Sequence, residues 1–205
     1  IKRHASELLG RQETQALIDK FKESNPKVIE ELIPDVLSLG KVQKVLQNLL
    51  KEQISIRDLR TILEQLADYG PTTRDTDILT EYVRQALARP ITKQFQSADG
   101  SLSVMTLDRE VEELIQNSIQ KTELASFLAL EPTVAEKLLI KLQETVEAIS
   151  PQVETSPVLL ASPGIRHHLR KFVERFLPDL AVLSHSEITP SVQIKTLKVV
   201  DLNAN

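Results

Sequence analysis

Three stretches of this chain carry residue types that can do chemistry. Ser184-His185-Ser186-Glu187 sets a hydroxyl, an imidazole and a carboxylate side by side after an apolar run. Nucleophilic catalysis needs a hydroxyl and a base that converge, and neighbours in an extended segment point to opposite faces. No Gly-x-Ser-x-Gly elbow is present. The pattern reads as a turn held by Ser and His side chains, with a hydrolase using Ser184 and His185 as the distant alternative. The second stretch is Ser162-Pro163-Gly164 followed by Arg166, His167, His168, Arg170, Lys171 and Arg175. Free N–H groups at a helix start attract anions, so Gly164, Arg166, His167 and Arg170 are a candidate phosphate or carboxylate site. The competing reading is a solvated basic face with ordinary i,i+4 spacing, and no phosphate-loop fingerprint accompanies it.

Metal chemistry finds little to work with. His4 is isolated, and His167 and His168, adjacent on a helix, should diverge by about 100° rather than chelate as an i,i+4 pair. There is no cysteine. The acid pairs Glu30/Glu31 and Glu112/Glu113 sit beside apolar stripes and read as solvated faces. No metal and no cofactor is expected. The third stretch is a cluster of both signs: Arg57, Asp58, Arg60, Asp68, Arg74, Asp75 and Asp77. These serve as caps and surface charge, or as a network across a subunit boundary.

The elements that must position these groups follow from hydrophobic spacing. Residues 3–24 read as one helix, with Gly10 inside it at a cost of up to about 1 kcal/mol. Residues 27–37 form a second helix that Pro34 should kink or split. The densest signal is 37–70. Leu39, Val42, Val45, Leu46, Leu49 and Leu50 make one apolar face, and Leu59, Ile62, Leu63 and Leu66 make another. Ser55 with Asp58 resembles a capping box for the second helix, and Gly70-Pro71 should stop it through a left-handed cap. A helix over 76–89 ends at Pro90. Residues 1–90 are therefore read as an all-helical subdomain.

After Pro90 the pattern changes. ITKQFQ, SADGS and LSVMTL read as a hairpin turning at Asp99-Gly100. Asp108 caps a helix, Pro132 starts another, and 150–156 is a loop. PVLLAS (157–162), a helix over 164–176 and LAVLS (180–184) form a βαβ unit with parallel strands. A last strand lies near 192–200. Residues 91–205 are read as an α/β subdomain with a small mixed sheet, so the fold class is mainly α followed by α/β.

Composition sets limits. Of 205 residues, 41% are hydrophobic and 26% charged, enough for a real core. The net charge is −4, all of it by count in residues 91–205. That balance, with 3% aromatics and no Trp, argues against nucleic acid as a partner. No run approaches the roughly 18 apolar residues of a membrane span. The chain opens on Ile1 and its single methionine is Met105, so it reads as a fragment of a longer protein.

Several blocks, taken together, resemble a known family. RHASELLGRQETQALID (3–19), EELIPDVLSLGKVQKVLQNLLKEQISIRDLRTILEQLADYG (30–70), LTEYVRQALARPI (79–91), SLSVMTLDREVEELI (101–115), LALEP (128–132) and SPVLLASPGIRHHLRKFVERFLPDLAVLSHSEI (156–188) occur in order. They are similar to the FHIPEP family, the large export-gate proteins of bacterial type III secretion. The flagellar branch resembles them more than the injectisome branch does. The resemblance implies a non-enzymatic component at the cytoplasmic face of the bacterial inner membrane, anchored only through an N-terminal membrane domain absent here. It also implies that 1–90 and 91–205 are the third and fourth cytoplasmic subdomains. The implied partners are further copies in a ring, export chaperone–substrate complexes and other export-apparatus proteins.

Overall fold

The computed structural model describes residues 5–122 and 126–203; His4 lies outside them. The chain divides into two compact units, Ile1–Ile91 and Thr92–Asn205. The fold class is the expected one, mainly helical and then α/β.

The first unit is built from α1 (Ala5–Leu8), α2 (Arg11–Ser24), α3 (Pro26–Glu31), α4 (Leu39–Lys51), α5 (Leu59–Tyr69) and α6 (Thr76–Ala86). The expected single helix over 3–24 is broken: Gly10 is extended and caps the start of α2, so it carries no helix-interior cost. Pro34 splits the second helix as expected, since α3 gives way to an irregular turn over Leu32–Val36 in which Ile33 is extended.

Helix α4 buries Val42, Val45, Leu46 and Leu49, and α5 buries Ile62, Leu63 and Leu66, as the 3.6-residue period requires. Asp58 alone caps α5, accepting from the Thr61 backbone N–H at 3.1 Å and the Thr61 hydroxyl at 2.8 Å. Ser55 lies upstream of the helix and takes the Arg57 N–H at 3.4 Å. Gly70 does end α5, but in a right-handed conformation. Glycine is needed there for space: a Cβ would meet the Leu66 carbonyl oxygen at 2.6 Å and the Val36 side chain closer still.

The division between units falls within α7 (Ala88–Phe95), which overturns the expected strand at ITKQFQ. Pro90 lies in the first turn of this helix, where a missing N–H costs nothing. The buried residues Ile91, Thr92 and Phe95 follow helical spacing. The Asp99-Gly100 turn forms as expected, with Gly100 at φ +80 and its N–H on the Ser97 carbonyl at 2.9 Å. It joins a helix to a strand rather than two strands.

With the hairpin absent, the sheet is wholly parallel. It contains β1 (Leu102–Leu107), β4 (Val158–Ala161), β5 (Ala181–Ser184) and β6 (Ile194–Val200) in the order β5-β4-β1-β6. The βαβ pairing is as expected, with Val158 opposite Ala181 and Ala161 opposite Ser184. β4 is buried throughout, as suits an inner parallel strand covered on both faces. Helices α8 (Arg109–Asn117), α9 (Pro132–Ile149) and α10 (Pro163–Val173) supply that cover through Ile115, Leu142, Ile165 and Leu169. Asp108 and Pro132 start α8 and α9 as expected. A separate antiparallel ladder, β2 (Ile119–Lys121) with β3 (Ser126–Leu128), was not foreseen.

Candidate functional site

The basic start of α10 is where an anion was expected, and the protein supplies that anion itself. Glu112, projecting from α8, accepts the Ser162 backbone N–H at 2.9 Å and the Ser162 hydroxyl through its other oxygen. Gly164 lies under Gln116, whose side-chain oxygen would be 2.9 Å from an added Cβ. The helix N-terminus is thus closed by two side chains of a neighbouring helix.

The arginines are equally committed. Arg166 is buried (1% exposed), donates from Nη1 to the Val182 carbonyl at 3.1 Å, and holds Nε 3.9 Å from the Glu187 carboxylate. Arg170 donates to the Leu180 carbonyl at 2.7 Å. Both therefore satisfy carbonyls at the start and middle of the β5 segment. The solvated-face reading fails for them as well; it holds for Lys171 and Arg175, which are exposed. His167 and His168 do not diverge, since their rings lie 3.9 Å apart by centroid. Ser126 Oγ is 3.2 Å from His168 Nε2. Among the described residues no group of His, Cys, Asp or Glu could hold a metal.

Ser184 to Glu187 is a turn, as read, but Glu187 holds it in place of His185. Ser184 and Glu187 are buried, whereas His185 is exposed. The Ser184 N–H donates to Glu187 at 3.0 Å, and the Ser184 hydroxyl meets Ser186 at 2.8 Å. Thr92 locks the far side, donating to the Glu187 carbonyl at 3.0 Å and accepting from the Thr189 N–H at 3.1 Å. One buried carboxylate thus serves the strand end and faces Arg166. This arrangement binds the fold to itself.

The helical unit uses its charges otherwise. Asp58 and Asp75 are helix caps; Asp75 Oδ1 accepts from the Asp77 N–H at 2.8 Å and the Ile78 N–H at 3.4 Å. Arg60 donates to Asn25 at 2.6 Å. Lys41 donates to the Arg74 carbonyl at 2.8 Å, and Asn48 reaches Asp77 at 3.4 Å. Arg57, Asp68 and Arg74 are exposed. The cluster is not one constellation: Arg57, Asp58 and Arg60 flank the start of α5, and Arg74, Asp75 and Asp77 surround the start of α6.

Sequence reasoning missed three charged groups of consequence. Arg84 is buried and lies 3.1 Å from Glu52. Glu112 and Glu187 were treated as surface acids or turn residues. Arg84 follows the buried Val83, a position that alone gave no signal. Only the tertiary fold brings Glu112 to Ser162, 50 residues away.

Comparison with known proteins places this arrangement. The sequence profile of the FHIPEP family matches residues 1–193. The chain is 48% identical to the flagellar biosynthesis protein FlhA of Bacillus subtilis over 98% of its own length and 30% of that protein's. It is 35% identical to the low calcium response locus protein D of Yersinia pestis over 96% of its length and 28% of that protein's. It therefore spans under a third of the curated relatives it matches. Among solved structures, Chlamydia pneumoniae CdsV superposes with a TM-score of 0.91 at 37% identity, over 98% of this chain and 57% of that one; CdsV has also been solved as a complex with CdsO. The nonameric SctV-C of EPEC gives a TM-score of 0.86 at 32% identity, over 97% of this chain and 59% of that one. A profile match across most of the chain, with ordered identity across nearly all of it, settles the lineage: the chain belongs to the FHIPEP family.

Proposed function

We propose that this chain is a non-enzymatic part of a bacterial flagellar type III export gate, lying at the cytoplasmic face of the inner membrane. The carrying observation is the ordered 48% identity to a flagellar biosynthesis protein over 98% of the chain. Residues 1–90 act as the third cytoplasmic subdomain and build a nine-membered ring, by likeness to the nonameric SctV-C. Residues 91–205 act as the fourth and meet export-apparatus proteins, by likeness to CdsV, which is solved with CdsO. Export chaperone–substrate complexes dock on the assembled platform. The internal use of Glu112, Arg166 and Glu187 supports a scaffold over a hydrolase or an anion receptor. No helix among the described residues is long and apolar enough to cross a membrane.

The injectisome reading rests on the fit to the CdsV and SctV-C structures, at lower identity. Gene replacement in the source bacterium separates the two. Deleting this region should abolish swimming and the export of filament protein into the medium. Normal motility with lost effector secretion would favour the injectisome, and normal export of both would sink the gate. Arg57→Glu with Arg60→Glu, on the exposed start of α5, should lower ring yield several-fold in native electrophoresis. Unchanged rings would remove these two arginines from the interface.

A further inference from the structure

The parallel sheet has two edge strands, β5 and β6, and the fold treats them differently. In a parallel pair, alternate residues of a strand bond to the neighbour, and those between turn both backbone groups away. At β5 the Ala181 N–H bonds inward to the Pro157 carbonyl at 2.9 Å, so Leu180, Val182 and Ser184 turn outward. The fold's own side chains meet them. Arg170 takes the Leu180 carbonyl, Arg166 takes the Val182 carbonyl, and Glu187 takes the Ser184 N–H. That edge is closed.

At β6 the Leu102 N–H bonds to the Gln193 carbonyl at 2.9 Å, and the Asp108 N–H to the Val200 carbonyl at 2.8 Å. Between them the register skips Leu197, since Val104 pairs with Thr196 and Met105 with Lys198. This bulge shifts the alternation by one residue. Ile194, Thr196 and Val199 therefore turn their N–H and carbonyl groups away from β1, and among the described residues nothing takes them. The strand is exposed over nearly its whole length. Its side chains include Ile194 (40% exposed), Val199 (51% exposed), Lys195 and Lys198.

We infer that β6 is a docking edge that takes an extended, acidic segment of a partner protein as a fifth strand. This inference stands on the sheet alone and does not depend on the export-gate reading. A free row of backbone groups supplies the binding energy of strand addition, and the side chains supply the choice of partner. Charge decides the occupant. Two copies of β6 laid edge to edge would gather four lysines along one seam, and like charges across a strand pair repel. Lysine on an edge strand is a known guard against self-pairing. The same two lysines favour a strand bearing Glu or Asp. Defence alone does not explain Ile194 and Val199, which offer apolar contact at either end of the row. Seven residues at about 3.3 Å each give a docking length of about 23 Å.

The test uses the complete polypeptide and three blocked nine-residue peptides: alternating Glu and Val, alternating Lys and Val, and the Glu–Val peptide with every second amide N-methylated. Hydrogen exchange read by mass spectrometry should slow at least tenfold for the fast amides of residues 193–200 with the Glu–Val peptide, and not for residues 180–184. The Lys–Val and N-methylated peptides should give no protection. Lys198→Glu should weaken the Glu–Val peptide at least fivefold with circular dichroism unchanged. Val199→Pro removes an outward N–H that an edge strand can spare and should weaken it further. Equal binding of the Glu–Val and Lys–Val peptides overturns the acidic partner. Equal binding of the N-methylated peptide overturns strand addition. Slow exchange at Ile194, Thr196 and Val199 before any peptide is added would mean that the rest of the polypeptide already covers the edge, and overturns the docking role.

Discussion

Each unit buries one arginine against a glutamate, and the two pairs are built differently. In the helical unit, Arg84 is 1% exposed while Glu52 keeps 15% of its side chain in water, and they meet at 3.1 Å. In the α/β unit, Arg166 and Glu187 are both 1% exposed, 3.9 Å apart, and tied to backbone groups of the β5 segment. A rim pair can fall back on water when one partner is lost. An interior pair cannot, and the remaining charge then bears its whole desolvation cost. The helical unit thus keeps its charge chemistry at the surface, where neighbours can reach it. The α/β unit turns its charge inward and uses it to fix the end of a sheet.

The largest expected effect tests this contrast directly. Glu187→Ala strands Arg166 and the Ser184 N–H together, and should cost about 3–5 kcal/mol. Glu52→Ala leaves Arg84 a route to water and should cost roughly 2 kcal/mol. Urea denaturation followed by two probes assigns each loss to its unit. Both tyrosines of the chain, Tyr69 and Tyr82, stack at 4.0 Å in the helical unit, so tyrosine fluorescence reports that unit alone, while circular dichroism reports both. Equal losses for the two variants would remove the distinction between rim and interior.

That contrast also explains what the sequence made legible. The apolar faces of α4, α5 and α6, the Asp108 cap, the Pro132 start and the parallel βαβ pair were all readable, because each depends on spacing or on a local cap. The residues 91–96 were misread because Ile91 and Phe95, four apart, fit both a strand and a helix period, and only packing decides between the two. The α5 cap was placed at Ser55 rather than Asp58 because several small polar residues compete for that helix start, and the break at Gly10 was read through because the apolar stripe continues on both sides of it. The buried arginines were illegible for a deeper reason. A charge is presumed to face water unless its partner is known, and the partners of Arg84 and Arg166 lie 32 and 21 residues away in sequence.

Caps offer a middle-sized test in which the two units should behave alike. Asp58 in the helical unit and Asp108 in the α/β unit both accept backbone N–H groups at helix starts, Thr61 at 3.1 Å and Glu110 at 2.9 Å. Alanine at either position should cost about 1 kcal/mol, read from the same two-probe denaturation. A markedly larger loss for Asp58→Ala in the assembled ring than in the separate chain would show that this cap also serves a subunit boundary.

The smallest effect lies at the edge strand of the sheet. Asp99, in the turn before β1, accepts from Lys195 on β6 at 2.6 Å and from the Ser101 hydroxyl at the same distance. Those bonds, Lys195 first, hold its carboxyl well below the ordinary value of 3.8. Because the folded state prefers the ionised form, the stabilisation is complete above the unfolded value and disappears as pH falls through the folded one. Both side chains are about half exposed, and solvent screening keeps such a pair weak. Asp99→Asn should therefore lower Tm only slightly at pH 7, and the difference from the parent should shrink as pH is taken below about 4. Salt should shrink it too, since exposed pairs are screened. A gap that persisted at low pH and high salt would mean that the Asp99 turn acts through its Ser101 bonds rather than through Lys195. The sheet edge would then be held by a hydrogen-bonded turn rather than by a charge pair.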